Sequence, residues 1–197
     1  MKKVNIAVLV SGGGTNLQAL LDAQTAGKIP SGQIVLVLSS SPKAFALERA
    51  KKASIPGFAL EKEGFETNLN ARLEEFHIDL VVLAGFLSIL SPAFTRKWAG
   101  RIVNIHPSLI PSFCGQGMYG LKVHEAALQK GVKVTGATVH MVNEIPDGGE
   151  ILLQKAVEVL PGDTPEVLQR RVMEQAEWVL LPQAVELLAN KLTKETD

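Results

Sequence analysis

The sequence predicts an α/β fold: an open, mostly parallel sheet, covered by helices on both faces and finished by an antiparallel strand pair. Three observations carry this. Near-continuous apolar runs such as VNIAVLV and DLVVLAG recur along the first hundred residues. Strands buried on both faces read this way, as they do in parallel sheets. Stretches with apolar residues at helical spacing separate the runs, so strands and helices alternate. After about residue 131 the period changes, and VKVTGATVHMV and EILLQKAVEV form two longer strands joined by NEIPDGG, the pattern of a hairpin.

Residues 4–10 are the first strand. Residues 16–26 follow as a helix, with Leu17, Leu20 and Leu21 on one stripe and Gly27 as the stop. A strand is expected over 33–39, helices over 44–53 and 69–76, and a strand over 79–85. Ser91-Pro92 opens a short helix, Ser as cap and Pro at the first helical position. Residues 101–105 are the next strand and 122–129 the next helix. The antiparallel pair takes 132–142 and 150–159. Thr164-Pro165-Glu166 starts one long helix or two over 164–189, with Pro182 as a candidate break. Residues 190–197 are polar and expected to fray. Neither a repeat nor a linker interrupts the 197 residues, a length that suits one domain.

Twenty basic residues balance twenty acidic ones, so the chain carries no basic field that would draw nucleic acid. Cys114 is the single cysteine, which excludes an intrachain disulfide and a cysteine-rich metal site. The N-terminal apolar run ends in glycines and reads as a strand rather than a signal peptide. No stretch approaches the ~18–20 apolar residues that span a bilayer. A cytoplasmic protein with a small-molecule substrate is expected, with neither membrane nor nucleic acid as partner.

Ligands of an open parallel sheet bind beyond the carboxyl ends of its strands. Three such ends stand out. SGGGTN, residues 11–16, joins the first strand to the first helix. Its glycines permit close approach, and helix N-terminal amides suit a phosphate. A plain tight turn is the alternative. A dinucleotide loop fits less well, because Leu17 stands at the third glycine position and Ser39-Ser40-Ser41 offers no acid for a ribose. AGFLSIL, residues 84–90, places Gly85 before an apolar wall, or is an ordinary strand exit. The third end carries Asn104 and His106, two apart and therefore on one face, just before Pro107. Imidazole exchanges protons near neutral pH and an amide donates to a developing oxyanion. The pair suits the tetrahedral intermediate of an acyl transfer, or else a structural hydrogen bond.

Asp147, in the NEIPDGG turn, is placed to reach across and orient His106. His140, on the face of Thr138, is either a satisfied core histidine or part of the same polar cluster. His106, His124, His140 and Asp147 lack tight metal-ligand spacing, so no metal is expected. Cys114 has no second group to orient it as a nucleophile.

Together SGGGTNLQ, VVLAGFLSILSP, VNIHPSLIPSF, GATVHMV and PDGGEILLQKAVEV resemble the folate-dependent formyltransferases, in the family's order, from about residue 3 to about residue 190. The resemblance implies the Rossmann-like formyltransferase fold in one domain over 1–197. Its phosphate-binding half would run to about residue 100 and its folate-binding, catalytic half over about 101–190. It implies transfer of a formyl group from the co-substrate 10-formyltetrahydrofolate to the amine of glycinamide ribonucleotide, a step of purine biosynthesis. The attack would be direct and need no metal.

By the same resemblance, Gly12, Gly14, Thr15, Asn16 and Gly85 would form the phosphate-substrate site, and Glu177 would meet the ribose. Leu87, Ser88, Ile89 and Leu90 would line the pterin pocket. Asn143, Glu144, Ile145, Pro146 and Asp147 would form the folate loop, with Asn104 beside it. Asn104 and His106 would stabilise the oxyanion, His106 also as general acid. Asp147 would keep His106 protonated and, through water, help remove the amine proton; His140 would support the group. The chain departs from the family pattern at several places. Trp178 replaces a His after Glu177 and the spacing from the preceding Arg differs by one, so Glu174 is a rival to Glu177. Cys114 replaces a Pro in a longer loop over 112–121. Ser88 replaces a basic residue, and Lys62 is only a candidate for the folate tail. A monomer or homodimer is expected. The deformylase and transfer-RNA branches of the family add a regulatory or a C-terminal domain that is not expected here. A non-catalytic nucleotide-binding module would not need Asn104, His106 and Asp147 together.

Overall fold

The computed structural model describes residues 3–196. Five strands pair in parallel: β1 (Val4–Val10), β2 (Gly32–Ser39), β3 (Gly57–Ala59), β4 (Leu80–Leu83) and β5 (Ile102–His106). Antiparallel β6 (Val134–Met141) and β7 (Ile151–Glu158) extend the β5 edge. The spatial order is β3-β2-β1-β4-β5-β6-β7. From β1 the chain steps outward to β2 and β3, then returns to the other side of β1 as β4. The switch point lies between β1 and β4, where a crevice opens beyond the carboxyl ends.

The helices are α1 (Thr15–Thr25), α2 (Ala46–Lys52), α3 (Phe65–Glu75), α4 (Pro92–Lys97), α5 (Leu121–Lys130), α6 (Pro165–Val172) and α7 (Trp178–Thr196). Strand alternation divides the apolar side chains between two cores. Ile6, Val8 and Val10 pack with Leu17 and Leu20 of α1 and Leu181 and Val185 of α7. Ala7 and Leu9 face the other way, onto Leu69 and Leu73 of α3 and Phe94 of α4. A register shift where Ala7 pairs with Leu36 lets Ile34 and Val37 of β2 both join the first core. Each large aliphatic side chain so buried contributes about 1.5–3 kcal/mol.

The expected class, parallel sheet and antiparallel closing pair are all present. The differences are local. The three-residue β3 is too short to show a period and has no counterpart in the sequence reading. The third helix starts at Phe65 rather than 69, behind Gly64 in a left-handed conformation. β5 runs one residue further than expected, through His106. The 164–189 segment is two helices joined by a π-helical turn, Met173–Glu177. Pro182 does not break α7; the irregularity falls in the π turn just ahead of it. The segment expected to fray is helical as far as Thr196, and Asp197 lies outside the described residues. Leu192 extends the apolar stripe of Leu181, Val185 and Leu188 onto the core and holds that end down. No described helix is long and apolar enough to cross a membrane.

Candidate active site

Ser11, directly after β1, closes the switch point. Its N–H donates to the Gly85 carbonyl at 3.1 Å. Its hydroxyl accepts the Leu87 N–H at 2.9 Å and lies 2.7 Å from the Ser40 hydroxyl. One residue thereby ties together the ends of β1, β2 and β4. Behind it the Gly12 carbonyl accepts the Ala46 N–H at 3.1 Å and the Gly13 carbonyl accepts Arg49 Nε at 2.8 Å. In a trans peptide N–H and C=O point in opposite directions. With both carbonyls turned toward α2, the Gly13 and Gly14 amides turn away from it, beside the uncapped first turn of the 11-residue α1. Free amides and a positive helix end make an anion site.

The glycines divide by role. A Cβ on Gly12 or Gly13 would meet nothing within 4 Å, so space is open there. Gly14 has φ 71°, and a Cβ would stand 2.6 Å from Ala46 Cβ. The fold itself demands Gly14. Asn16 turns its side chain inward, where Nδ2 donates to Glu177 Oε2 at 2.7 Å, and it is the Asn16 backbone N–H that stays with the loop. Thr15 Oγ1 faces Met173 Sδ at 3.7 Å. Gly85, at φ 70°, has open space at its own Cβ position.

Glu177 is buried in the π turn. Burial pushes its carboxyl up to about 7, against the lowering effect of the Asn16 hydrogen bond. Glu174 lies on the surface, paired with Arg170 at 2.8 Å. Of the two rivals, only Glu177 reaches the loop.

At the third strand end, antiparallel pairing sets Asn104 opposite His140 and His106 opposite Thr138, and opposed residues share a face. Asn104 Nδ2 lies 3.1 Å from His140 Nε2. Asp147 comes down from the β6–β7 connection in a left-handed conformation, φ 54°. Its Oδ2 is 3.6 Å from His106 Nδ1 and its Oδ1 is 3.5 Å from His140 Nε2. The Gly115 N–H donates to Oδ2 at 2.8 Å. Burial works to raise the Asp147 carboxyl, but the Nε2–H that His140 offers when its ring is protonated, the Gly115 N–H and the charges of the two imidazoles outweigh it. The carboxyl stays below its ordinary value, an anion at neutral pH. His140 is buried with both ring nitrogens partnered and lies in the polar cluster, so it meets both descriptions that the sequence left open. His124 is fully buried, with no hydrogen-bond partner for either ring nitrogen among the described residues. Burial first, then the charge of His106, pushes it down to about 4, so it stays neutral.

Beside the cluster, exposed Leu87 and Ile89 on one loop and Ile145 on another leave apolar surface open, and Ser88 is exposed between the first two. Leu90 instead turns into the core with Phe94 and Val142. Asn143 shapes the second loop, accepting from Ile145 N–H at 2.9 Å and donating to the Gly148 carbonyl at 3.1 Å. Pro146 sits between that turn and Asp147. Glu144 pairs with Arg96 of α4 at 3.0 Å. Lys62 is exposed on the loop before α3. Burial, then the Asp147 charge, raises the Cys114 thiol, the wrong direction for a nucleophile. Among the described residues no group of three or more His, Cys, Asp or Glu is placed to hold a metal.

Sequence reasoning missed Ser11, Arg49, Phe113 and Gly115, which act largely through backbone atoms or on backbone carbonyls. It also missed the part played by Thr138. That hydroxyl donates to the Ser108 carbonyl at 2.7 Å and accepts from Ile110 N–H and Gln154 Nε2. Alternation with His140 was its only signal.

The sequence pattern of the formyl transferase family matches residues 4–185. The chain belongs to the formyl transferase family. Phosphoribosylglycinamide formyltransferase of Haemophilus influenzae is 44% identical to it over 181 residues, 89% of this chain and 82% of that protein. The Escherichia coli protein of the same name is 42% identical, over 87% and 81% of the two. The trifunctional purine biosynthetic protein adenosine-3 of Bos taurus is 46% identical over 96% of this chain, which spans only 19% of that longer protein. Among solved structures, glycinamide ribonucleotide transformylase 1 from Symbiobacterium toebii superposes with a TM-score of 0.89 at 40% identity, covering 96% of this formyl transferase and 89% of that chain.

Proposed function

We propose that this formyl transferase moves the formyl group of 10-formyltetrahydrofolate onto the amine of glycinamide ribonucleotide, a step of purine biosynthesis. The observation that carries the reading is the placement of an amide, an imidazole and a carboxylate in one part-buried cluster on the edge that also bears an amide-lined anion loop. An acceptor with a phosphate at one end and an amine at the other suits that pairing. The names of the relatives point to the same acceptor.

Gly12, Gly13, Gly14 and the first turn of α1 hold the phosphate through N–H groups. Glu177, fixed by Asn16, stands at the ribose side. Leu87, Ile89 and Ile145 cover the pterin, with backbone groups of residues 87–90 and the loop Asn143, Glu144, Ile145, Pro146 completing the folate site. The folate supplies an activated formyl carbon, and the amine attacks it directly. Asn104 Nδ2 donates to the oxygen as negative charge develops there, a contribution worth about 3–4 kcal/mol at other oxyanion sites. His106 adds a donor and hands a proton to the departing folate nitrogen. Asp147, an anion beside His106, orients the ring, and through water it assists loss of the amine proton. His140 holds Asn104 and Asp147 in place. The whole chain, 1–197, acts as one catalytic domain, its phosphate half to about residue 100 and its folate half over about 101–190. It works as a cytoplasmic monomer or homodimer.

The test is spectrophotometric. The protein is incubated with a 10-formyl-folate donor, with and without glycinamide ribonucleotide, and release of deformylated folate is followed. Release that requires the amine is the expected result. Release without it indicates a hydrolase; no release in either case overturns formyl transfer.

A further inference from the structure

Both ring nitrogens of His106 already have partners. Nε2 lies 2.9 Å from the Phe113 carbonyl oxygen. Nδ1 faces Asp147 Oδ2 at 3.6 Å. That same carboxylate oxygen accepts the Gly115 N–H at 2.8 Å. A three-residue stretch therefore touches both members of the His–Asp pair through main-chain atoms. A carbonyl oxygen only accepts, so Nε2 must carry hydrogen. A neutral imidazole has one N–H, and the nitrogen left to gain and lose a proton is Nδ1. His140 has the opposite arrangement. Its Nδ1 lies 2.8 Å from the Met141 carbonyl and must carry hydrogen, which leaves Nε2 facing Asn104 and Asp147.

We propose that the Phe113 carbonyl and the Gly115 amide form a backbone clamp. It holds neutral His106 in its Nε2–H form and makes Nδ1 the atom that exchanges protons during formyl transfer. The assignment rests on the function proposed above. In the reaction the acceptor amine gives up one N–H bond and the departing folate nitrogen gains one. The clamp routes these transfers to the Nδ1 side of the ring, where Asp147 stands, and closes the Nε2 side.

The local structure is built for this. Phe113 holds φ 50°, a left-handed conformation that few non-glycine residues adopt. Its ring is packed against the core cluster that contains Val103 and Ile105. The partly buried ring thus fixes a backbone that would otherwise relax and swing its carbonyl off His106. Gly115 has φ 89°, although a Cβ there would meet nothing within 4 Å; conformation rather than space calls for glycine. The stretch leading in is tied at each step. Ser108 Oγ donates to the Ser112 carbonyl at 2.5 Å and Gln154 Nε2 to the Ile110 carbonyl at 3.0 Å. Phe113 and Gly115 are positioning residues, since neither acts on the reacting atoms itself.

The decisive measurement needs no substrate. The protein is labelled with 15N-histidine, and the imidazole tautomers are read by NMR at a pH where the rings are neutral. The His106 signal is assigned by its loss in a His106→Asn variant. The clamp predicts the Nε2–H tautomer for His106 and the Nδ1–H tautomer for His140. An Nδ1–H or mixed tautomer at His106 overturns it. Two variants add a kinetic arm. Phe113→Ala removes the anchor and should lower kcat roughly 10- to 100-fold, the cost of a small misplacement at a reacting centre, with KM for glycinamide ribonucleotide little changed and the His106 tautomer mixed. Phe113→Leu keeps an apolar anchor and should restore both readouts. If Phe113→Ala only lowers the melting temperature, with tautomer and kcat unchanged, the clamp is wrong. If the Nε2–H tautomer is found but no formyl transfer occurs, the proposed function fails and the clamp geometry stands.

Discussion

The two ends of the site are built from different materials. At the β1–α1 loop backbone amides line the ligand side, Arg49 holds the Gly13 carbonyl behind them, and Glu177 is buried with its carboxyl pushed up to about 7. At the β5 end the working groups are side chains, and Asp147 is held below its ordinary range by hydrogen bonds and imidazole charge. One end offers dipoles to an anion that arrives with its own charge. The other keeps a negative charge of its own beside an imidazole. In the proposed function, binding a charged substrate and moving a proton call for these opposite solutions.

Asn104→Ala tests the catalytic end most severely. It should lower kcat about 10²–10³-fold, as loss of an oxyanion donor does elsewhere, while KM for glycinamide ribonucleotide stays near the wild-type value in steady-state assays. An equal loss of phosphate-substrate binding would mean that the two ends are not separable.

The opposed carboxyls sharpen the contrast through pH. Folded Glu177 keeps its proton to about 7, whereas its ordinary value is 4.5. The folded state therefore binds more protons between these values, and stability falls as pH rises through them. The contribution is fully present below about 4.5 and lost above about 7, a difference of about 3 kcal/mol at 1.36 kcal/mol per unit. Melting curves of Glu177→Gln and wild type should coincide near pH 4.5 and separate by pH 8, the variant then being the more stable. Asp147 has the reverse sign: its contribution is present above its ordinary 3.8 and is lost as pH falls below that. Asp147→Asn should therefore narrow its stability gap to wild type in acid.

Two neighbouring glycines split the loop into scaffold and ligand space. Gly14→Ala forces a side chain into a left-handed backbone and onto Ala46, which should cost about 2 kcal/mol and lower the melting temperature by about 4–8 °C. Gly13→Ala meets open space and should melt within about 2 °C of wild type, yet weaken inhibition by inorganic phosphate. Smallest of all is Arg96→Ala. The pair with Glu144 is exposed on both sides, so its removal should change stability by less than about 1 kcal/mol in chemical denaturation.

Much of this was legible in the sequence, for physical reasons that differ by residue. Asn104 and His106 announce themselves because a strand's period of two puts them on one face at its end. Gly12 and Gly14 do so because glycine clusters between strand and helix have few explanations. Glu177 was legible only through the family resemblance, since its partner Asn16 lies 161 residues away and its burial depends on how the terminal helices pack. The Phe113 carbonyl and Gly115 amide were invisible, because every residue but proline carries the same two groups and only the folded path shows where they point. β3 escaped for want of length, and the polar composition of residues 190–197 hides a helix whose Leu192 packs on the core.

The π turn at Met173–Glu177 sets a rotational phase. Each residue of an α-helix advances the side chains by about 100° around its axis. A wider turn takes up residues without passing the whole of that rotation on. Glu177 can then look toward Asn16 while Leu180, Leu181, Ala184 and Val185 look toward the sheet. Shortening Met173–Glu177 by one residue would put these two directions out of step, and the chain would have to choose between its carboxyl and its core.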